Sequence, residues 1–149
     1  MLVPPRQTKS NRILAIGAVV LFATVLFCGA LLVRFLAQQS ELAQARKLRN
    51  PVPASAAALS AGQNVYEHHC QSCHGAAGNG KGDRAQNLSV TPTDFTNAKK
   101  MSGIPDGELF WVTTKGHRPM PAFEKKLSDQ ERWQVVDYIR EFARRTAGK

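Results

Sequence analysis

Cys70-Gln71-Ser72-Cys73-His74 decides how this chain is read. On a helix, positions i, i+3 and i+4 share a face, so Cys70, Cys73 and His74 project together. Two thiols at that spacing can each join one vinyl group of a single porphyrin, with the adjacent imidazole held under its iron. C-x-x-C-H is the attachment pattern of a c-type haem. A zinc site would need two more ligands at suitable spacing. The chain has no second C-x-x-C, and His68, His69 and His117 complete no familiar pattern. A thioredoxin-like redox pair would need a βαβ setting, which is absent.

A haem needs a second axial ligand or an open site. Arg118-Pro119-Met120-Pro121-Ala122-Phe123 begins 44 residues after His74. Met120 sits between two prolines, where neither a helix nor a central strand can hold it. A loop stiffened in this way suits a thioether fixed against iron. Met101 is a rival, and so is His117, which would give a bis-histidine centre. His68 and His69 read as surface or helix-packing residues. Leu88, Phe95, Leu109, Phe110, Trp111 and Phe123 supply the apolar shell, and Trp111 packs there or hydrogen-bonds a propionate.

The surrounding pattern is helical. Residues 60–73 read as one helix with Gly62, Val65, Tyr66 and His69 toward one side. Pro105-Asp106-Gly107-Glu108 caps a second, Leu109 to Lys115, stopped by Gly116. Ser128-Asp129-Gln130-Glu131 is a capping-box pattern opening a last helix to about Arg145. Its apolar stripe is Val135, Val136, Ile139, Phe142 and Ala143.

Ahead of this lies Ile13 to Val33, 21 residues without a charge between Arg12 and Arg34. At about 1.5 Å per residue it spans roughly 30 Å, the thickness of a bilayer core. The run is too long for the apolar part of a cleaved signal, and Arg34-Phe35-Leu36 follows directly. It is read as an uncleaved transmembrane anchor over 13–36, after a cytoplasmic segment 1–12. Cys28 is taken as an ordinary apolar residue of that helix. A helical extension and tether fill 37–59, broken by Asn50-Pro51-Val52-Pro53, and the globular domain occupies 60–149. With 149 residues in all, the chain is too short for a barrel enzyme or a two-domain dinucleotide fold.

The net charge is +9. Residues 1–50 carry seven basic groups and one acidic group; the rest carry thirteen and ten. Much of the excess is therefore beside the membrane, where it can meet anionic lipid. No basic stripe is interleaved with aromatics, so nucleic acid is not an expected partner. Lys81, Arg84, Lys99, Lys115, Arg118, Lys125 and Lys126 flank the motif loops, either as a solvated surface or to steer an acidic partner. Basic residues on both sides of the span leave its orientation open.

Residues 60–145 resemble a class I c-type cytochrome of the bacterial single-haem kind. The matching pieces are GQNVYEHHCQSCHG, GNGKG, LSVTPTDF, DGELFWVTTKG and MPAFEKKLSDQERWQVVDYIR. The resemblance implies an all-α cytochrome c fold around one covalent haem c, with first and last helices crossing so that Gly62 and Tyr66 face Tyr138. It implies that Cys70 and Cys73 are haem-linked, His74 the proximal ligand and Met120 the distal one. It also implies haem attachment outside the cytoplasmic membrane, which puts the domain on the periplasmic or extracellular side. Many relatives have a proline shortly after the motif whose region supplies a carbonyl to the proximal histidine. Here those positions hold Asp83 and Gln86, with Pro92 further on, and the acceptor is not identified by sequence.

With both axial positions filled, the expected chemistry is outer-sphere, one-electron transfer rather than enzymatic turnover. The chain would be a tethered carrier between a quinol-oxidising complex and an oxidase or reductase, or a fixed cytochrome c subunit of a larger respiratory complex. A haem-based sensor with a labile Met120 is the alternative of another class.

Overall fold

The computed structural model describes the backbone of residues 9–148 and the side chains from Arg12 onward. The expected cytoplasmic segment 1–12 lies mostly outside the described residues. Two compact units are present, residues 1–41 and residues 42–149.

In the first unit the uncharged run, free of proline, forms most of α1 (Lys9–Ala45). Every side chain from Arg12 to Glu41 is exposed, including Leu14, Phe22 and Phe27. Among the described residues this is the one helix long and apolar enough to cross a membrane. A helix apolar on all faces with nothing packed on it is a candidate span.

The second unit is helical, with no strand among the described residues; one isolated bridge joins His117 and Met120. Ser55 caps α2 (Ala56–His69), its hydroxyl accepting from the Ala58 amide, so the helix opens before Ser60. The helix expected to run unbroken to residue 73 instead breaks at Cys70 (φ −114°). A single turn, α3 (Gln71–His74), follows. A 3-10 turn covers Ala85–Asn87, and α4 (Ala98–Ser102) is capped by the Asn97 side chain. α5 (Asp106–Lys115) ends at Gly116. α6 (Asp129–Ala147) opens on the expected capping box: the Ser128 hydroxyl accepts from the Glu131 amide and the Glu131 carboxylate accepts from the Ser128 amide.

The core is the crossing of α2 and α6. A Cβ on Gly62 would lie 2.0 Å from the Gln134 carbonyl oxygen, so only glycine admits this approach. Tyr66 is then brought against Tyr138 and Phe142, at ring centroid distances of 5.4 and 5.1 Å. Its hydroxyl donates to the Gly75 carbonyl at 2.7 Å, which satisfies the polar end of a buried aromatic. Val135, Val136, Ile139, Met101, Leu109 and Trp133 complete the cluster. Fully burying side chains of this size is worth about 1.5–3 kcal/mol each. Arg140 of α6 fastens α4 to α5: it donates to the carbonyls of Met101 and Ile104 and pairs with Asp106.

Residues 45–52, part of the stretch expected as a helical extension and tether, pack on this core. Ala45 is buried, and its carbonyl oxygen lies where a Cβ of Gly107 would be, at 1.8 Å. Arg46 pairs with Glu108 at 3.2 Å. The Asn50 side-chain amide donates to the Trp133 carbonyl, and its Oδ1 accepts from the Val52 amide. Val52 packs on the core cluster. α1 ends at Ala45, ahead of the Asn50-Pro51-Val52-Pro53 stretch expected to stop it, and the chain beyond that end is docked because Asn50 bonds backbone groups of Trp133 and Val52.

Gly107→Val would drive a side chain into the Ala45 carbonyl. Overpacking of this kind costs about 1–3 kcal/mol. The expected outcome is a lower thermal midpoint and faster tryptic cleavage after Arg46, Lys47 and Arg49, read by limited proteolysis in detergent. Equal cleavage rates in variant and wild type would show that this segment is not held by the contact.

Candidate functional site

The one-turn helix α3 is built by its neighbours. The Cys70 carbonyl accepts from the amides of both Cys73 and His74, at 3.1 and 2.9 Å. The sequence keeps its i, i+3, i+4 grouping although the helix starts afresh at Cys70. The glycine-rich loop 78–82 then wraps back over the turn. The amides of Gly80, Gly82 and Arg84 donate to the carbonyls of His74, Cys73 and Ser72, at 2.8, 3.1 and 2.8 Å. A short helix leaves its carbonyls without internal partners, and the loop supplies them.

His74 is held from two sides. Its Nδ1 lies 3.2 Å from the Thr93 carbonyl. A carbonyl only accepts, so Nδ1 carries the proton and Nε2 keeps its lone pair. The Phe95 ring stacks on the imidazole at 4.6 Å with 17° between planes. Phe95 is itself fixed, its amide donating to the Gly78 carbonyl and its ring buried against Tyr66. The orienting carbonyl is thus one residue beyond Pro92. Burial lowers the His74 pKa, and the hydrogen bond to Thr93 opposes that shift. Burial, with the neighbouring Cys73, pushes the Cys70 thiol up to about 12.

Opposite this wall, Gly116 turns the chain out of α5 into the loop carrying Met120. His117 and Met120 exchange backbone hydrogen bonds of 3.1 and 2.8 Å, closing a tight turn. A cavity of about 290 Å³ lies between the two walls, lined by Cys70, Cys73, His74, Leu88, Met120 and Phe123 among others. A second of about 180 Å³ adjoins it, sharing Cys70, His74, Thr93, Val112 and Met120 and adding Phe95, Leu109 and Ile139. Together they are in the range of small cofactor sites.

Cys70, Cys73, His74 and Met120 therefore share one apolar space. Met101 does not line it and is buried in the core beside α6. His117 lines the larger cavity. His69 does too, although sequence reads it as a packing residue; it sits edge-on to Phe123 at 5.9 Å. Two members of the expected apolar shell lie elsewhere. Phe110 stacks on Trp133 at 4.1 Å, and Trp111 lines neither cavity, its indole N–H buried without a partner. The helical repeat of α5 turns Leu109, Val112 and Thr113 inward instead. Val112, Ile104 and Ile139 have no motif to mark them, and the Thr93 role belongs to a backbone atom that no side-chain pattern reveals.

The donor set suits a covalently held haem: two thiols three residues apart, an imidazole with a free Nε2, a thioether across an apolar cavity. A family model described as cytochrome c oxidase, cbb3-type, subunit III matches residues 57–139. The chain belongs to this family. The cytochrome accordingly carries haem c, and electron transfer is the chemistry of its class. Among solved structures it is similar to a chain of the Kuenenia stuttgartiensis reducing HAO-like protein complex Kustc0457/Kustc0458. The two share 30% identity over 65% of this chain, with a TM-score of 0.56. This chain spans 48% of that one, about half its length. A c-type cytochrome designated KustC0563 is 28% identical, with 54% of this chain and 95% of that chain covered and a TM-score of 0.49. No curated protein matches.

Phe95 is the side chain on which the site's wall rests. Phe95→Ala is expected to destabilise the cytochrome by about 3–5 kcal/mol, while Val90→Ala, at an exposed position lining the adjoining cavity, stays within about 0.5 kcal/mol. Denaturant midpoints at unchanged slope measure both; equal effects would refute the difference.

Proposed function

We propose that this cytochrome holds one haem c through thioethers of Cys70 and Cys73, with His74 and Met120 as its axial ligands. We propose further that it passes single electrons as a membrane-anchored component of a respiratory complex. The observation that carries the reading is the shared cavity: the motif turn and the proline-flanked methionine, 46 residues apart in sequence, face one apolar space.

Bound there, the haem iron supplies a one-electron couple, set high by histidine–methionine ligation. The chain's own residues do the rest. Cys70 and Cys73 fix the ring's position. Thr93 and Phe95 hold the imidazole in one tautomer and one plane, the role such outer partners play for metal-bound histidines. Leu88, Leu109, Val112 and Phe123 exclude water. His74 and Met120 together would leave a bound haem no open position for a substrate, which supports electron transfer over catalysis by this chain alone.

A fixed subunit is favoured over a swinging carrier. The family is described as that of a subunit, the related solved chain is part of a multiprotein complex, and residues 45–52 pack on the haem domain rather than hanging free. The partners would be a quinol-oxidising complex, an oxidase or a reductase. α1 supplies the anchor. Thioether attachment outside the cytoplasm, implied by the resemblance, supports a periplasmic or extracellular haem domain on the bacterial cytoplasmic membrane.

Met120→Ala is expected to retain covalent haem, to lose the weak far-red absorption of sulfur-ligated ferric haem, and to lower the potential by a sizeable part of the roughly 0.8 V that axial ligands span. An unchanged potential would assign the ligand elsewhere. Cys73→Ala should reduce the haem that survives acid-acetone extraction; full retention would count against the thioether. Mild-detergent extraction from native membranes should yield partners in fixed ratio, and a lone band would favour the carrier.

A further inference from the structure

Arg132 is among the most buried charged residues described, with a side chain 5% exposed. Its position is unusual for arginine, which normally keeps its head in water. The guanidinium lies 5.3 Å from the Phe110 ring centroid. One terminal nitrogen, Nη1, donates to the carbonyls of Leu127 at 2.6 Å and Glu124 at 3.3 Å. The other, Nη2, pairs with Asp129 at 2.6 Å.

Those two carbonyls belong to the outgoing arm of the loop that carries Met120. Three residues separate Met120 from Glu124, and one of them, Phe123, lines the cavity. The same arm is tied to α5, the Phe123 and Glu124 amides donating to the carbonyls of Thr113 and Thr114. The arm thus has amides bound on one side by α5 and carbonyls bound on the other by a single cation of α6. Proline at 119 and 121 stiffens the tip but fastens it to nothing, since proline has no donor. The fastening must come from the base.

We propose that Arg132 is a positioning residue for Met120: by gripping Glu124 and Leu127 it fixes the base of the loop and so sets how firmly the thioether stays on the iron. The role rests on the assignment of Met120 as distal ligand. Glutamine at 132 keeps a polar head but cannot reach both carbonyls with a charge. Losing charge-assisted bonds of this kind shifts a local equilibrium by about tenfold or more. In Arg132→Gln, the fraction of sulfur-free haem should rise at least that much.

The test uses full-length holoprotein in detergent. Covalent haem is quantified after denaturation, and the far-red ferric band, the reduction potential and carbon monoxide binding by the reduced form are compared across wild type, Met120→Ala, Arg132→Gln and Arg132→Lys. The expected result is full covalent haem in Arg132→Gln, with a weakened band, a potential shifted toward that of Met120→Ala, and carbon monoxide binding that wild type lacks. Arg132→Lys, which keeps the charge but not the fork, should fall between, and it carries the test if the glutamine variant does not mature. A band and potential identical to wild type in the arginine variants, with only thermal stability lowered, would overturn the proposal and leave Arg132 a structural residue. A band that survives in Met120→Ala would instead sink the ligand assignment, and the positioning role with it.

Discussion

The hydrogen bond from His74 Nδ1 to the Thr93 carbonyl is the constraint on which the site depends. An imidazole is useful to a metal only when one nitrogen is committed and the other is free. Committing Nδ1 requires that a backbone carbonyl 19 residues away be brought to the motif and kept there. The glycine-rich loop does the bringing, because its amides close over the carbonyls of α3. Phe95 does the keeping, because its ring is buried in the cluster that binds α2 to α6. The site is therefore not an addition to the core: Phe95 touches His74 on one side and Tyr66 on the other.

The core follows from the same economy of close contacts. α2 approaches α6 to within backbone contact at Gly62, and this brings Tyr66 among Tyr138, Phe142 and Phe95. α6 then serves as the fixed member for everything else. Arg140 ties it to the junction of α4 and α5, and Arg132 ties it to the arm behind Met120. Both arginines sit on α6, which opens on a full capping box, and each donates to carbonyls at the end of an element or in a loop. In a domain without strands, loop carbonyls are the groups most exposed to that deficit.

What was legible in the sequence was legible because it was local. Cys70, Cys73 and His74 form a five-residue pattern, Ser128 and Glu131 a four-residue one, and both appear as expected because their geometry depends on neighbours along the chain. The all-α class and the apolar helix α1 were readable for the same reason. Less legible was whatever depended on a distant partner. Nothing in residues 85–95 marks Thr93 as an acceptor, since the relevant atom is present in every residue. The break at Cys70 has no proline or glycine to announce it. Phe110 and Trp111 are apolar enough to suit a cavity wall, but the phase of α5 is set by Ala45 against Gly107 and by Trp133 against Phe110, contacts 62 and 23 residues apart. Residues 50–59 have the composition of a tether, and only the partners of Asn50 show that its first residues, 50–52, are held.

Burial of Arg132 raises a question of energy rather than geometry. A buried charge costs several kcal/mol in lost hydration, and ion pairing alone seldom recovers it. Here Asp129 is largely exposed, so the pair is weak on its own. What offsets the cost is the combination of two carbonyl acceptors, that of Leu127 buried with the charge, and an aromatic face. A lysine has the charge without the planar fork, and a leucine would leave the buried carbonyl of Leu127 without this donor. The arginine is thus the side chain that ties the arm after Met120 to α6, through carbonyls its planar fork reaches together.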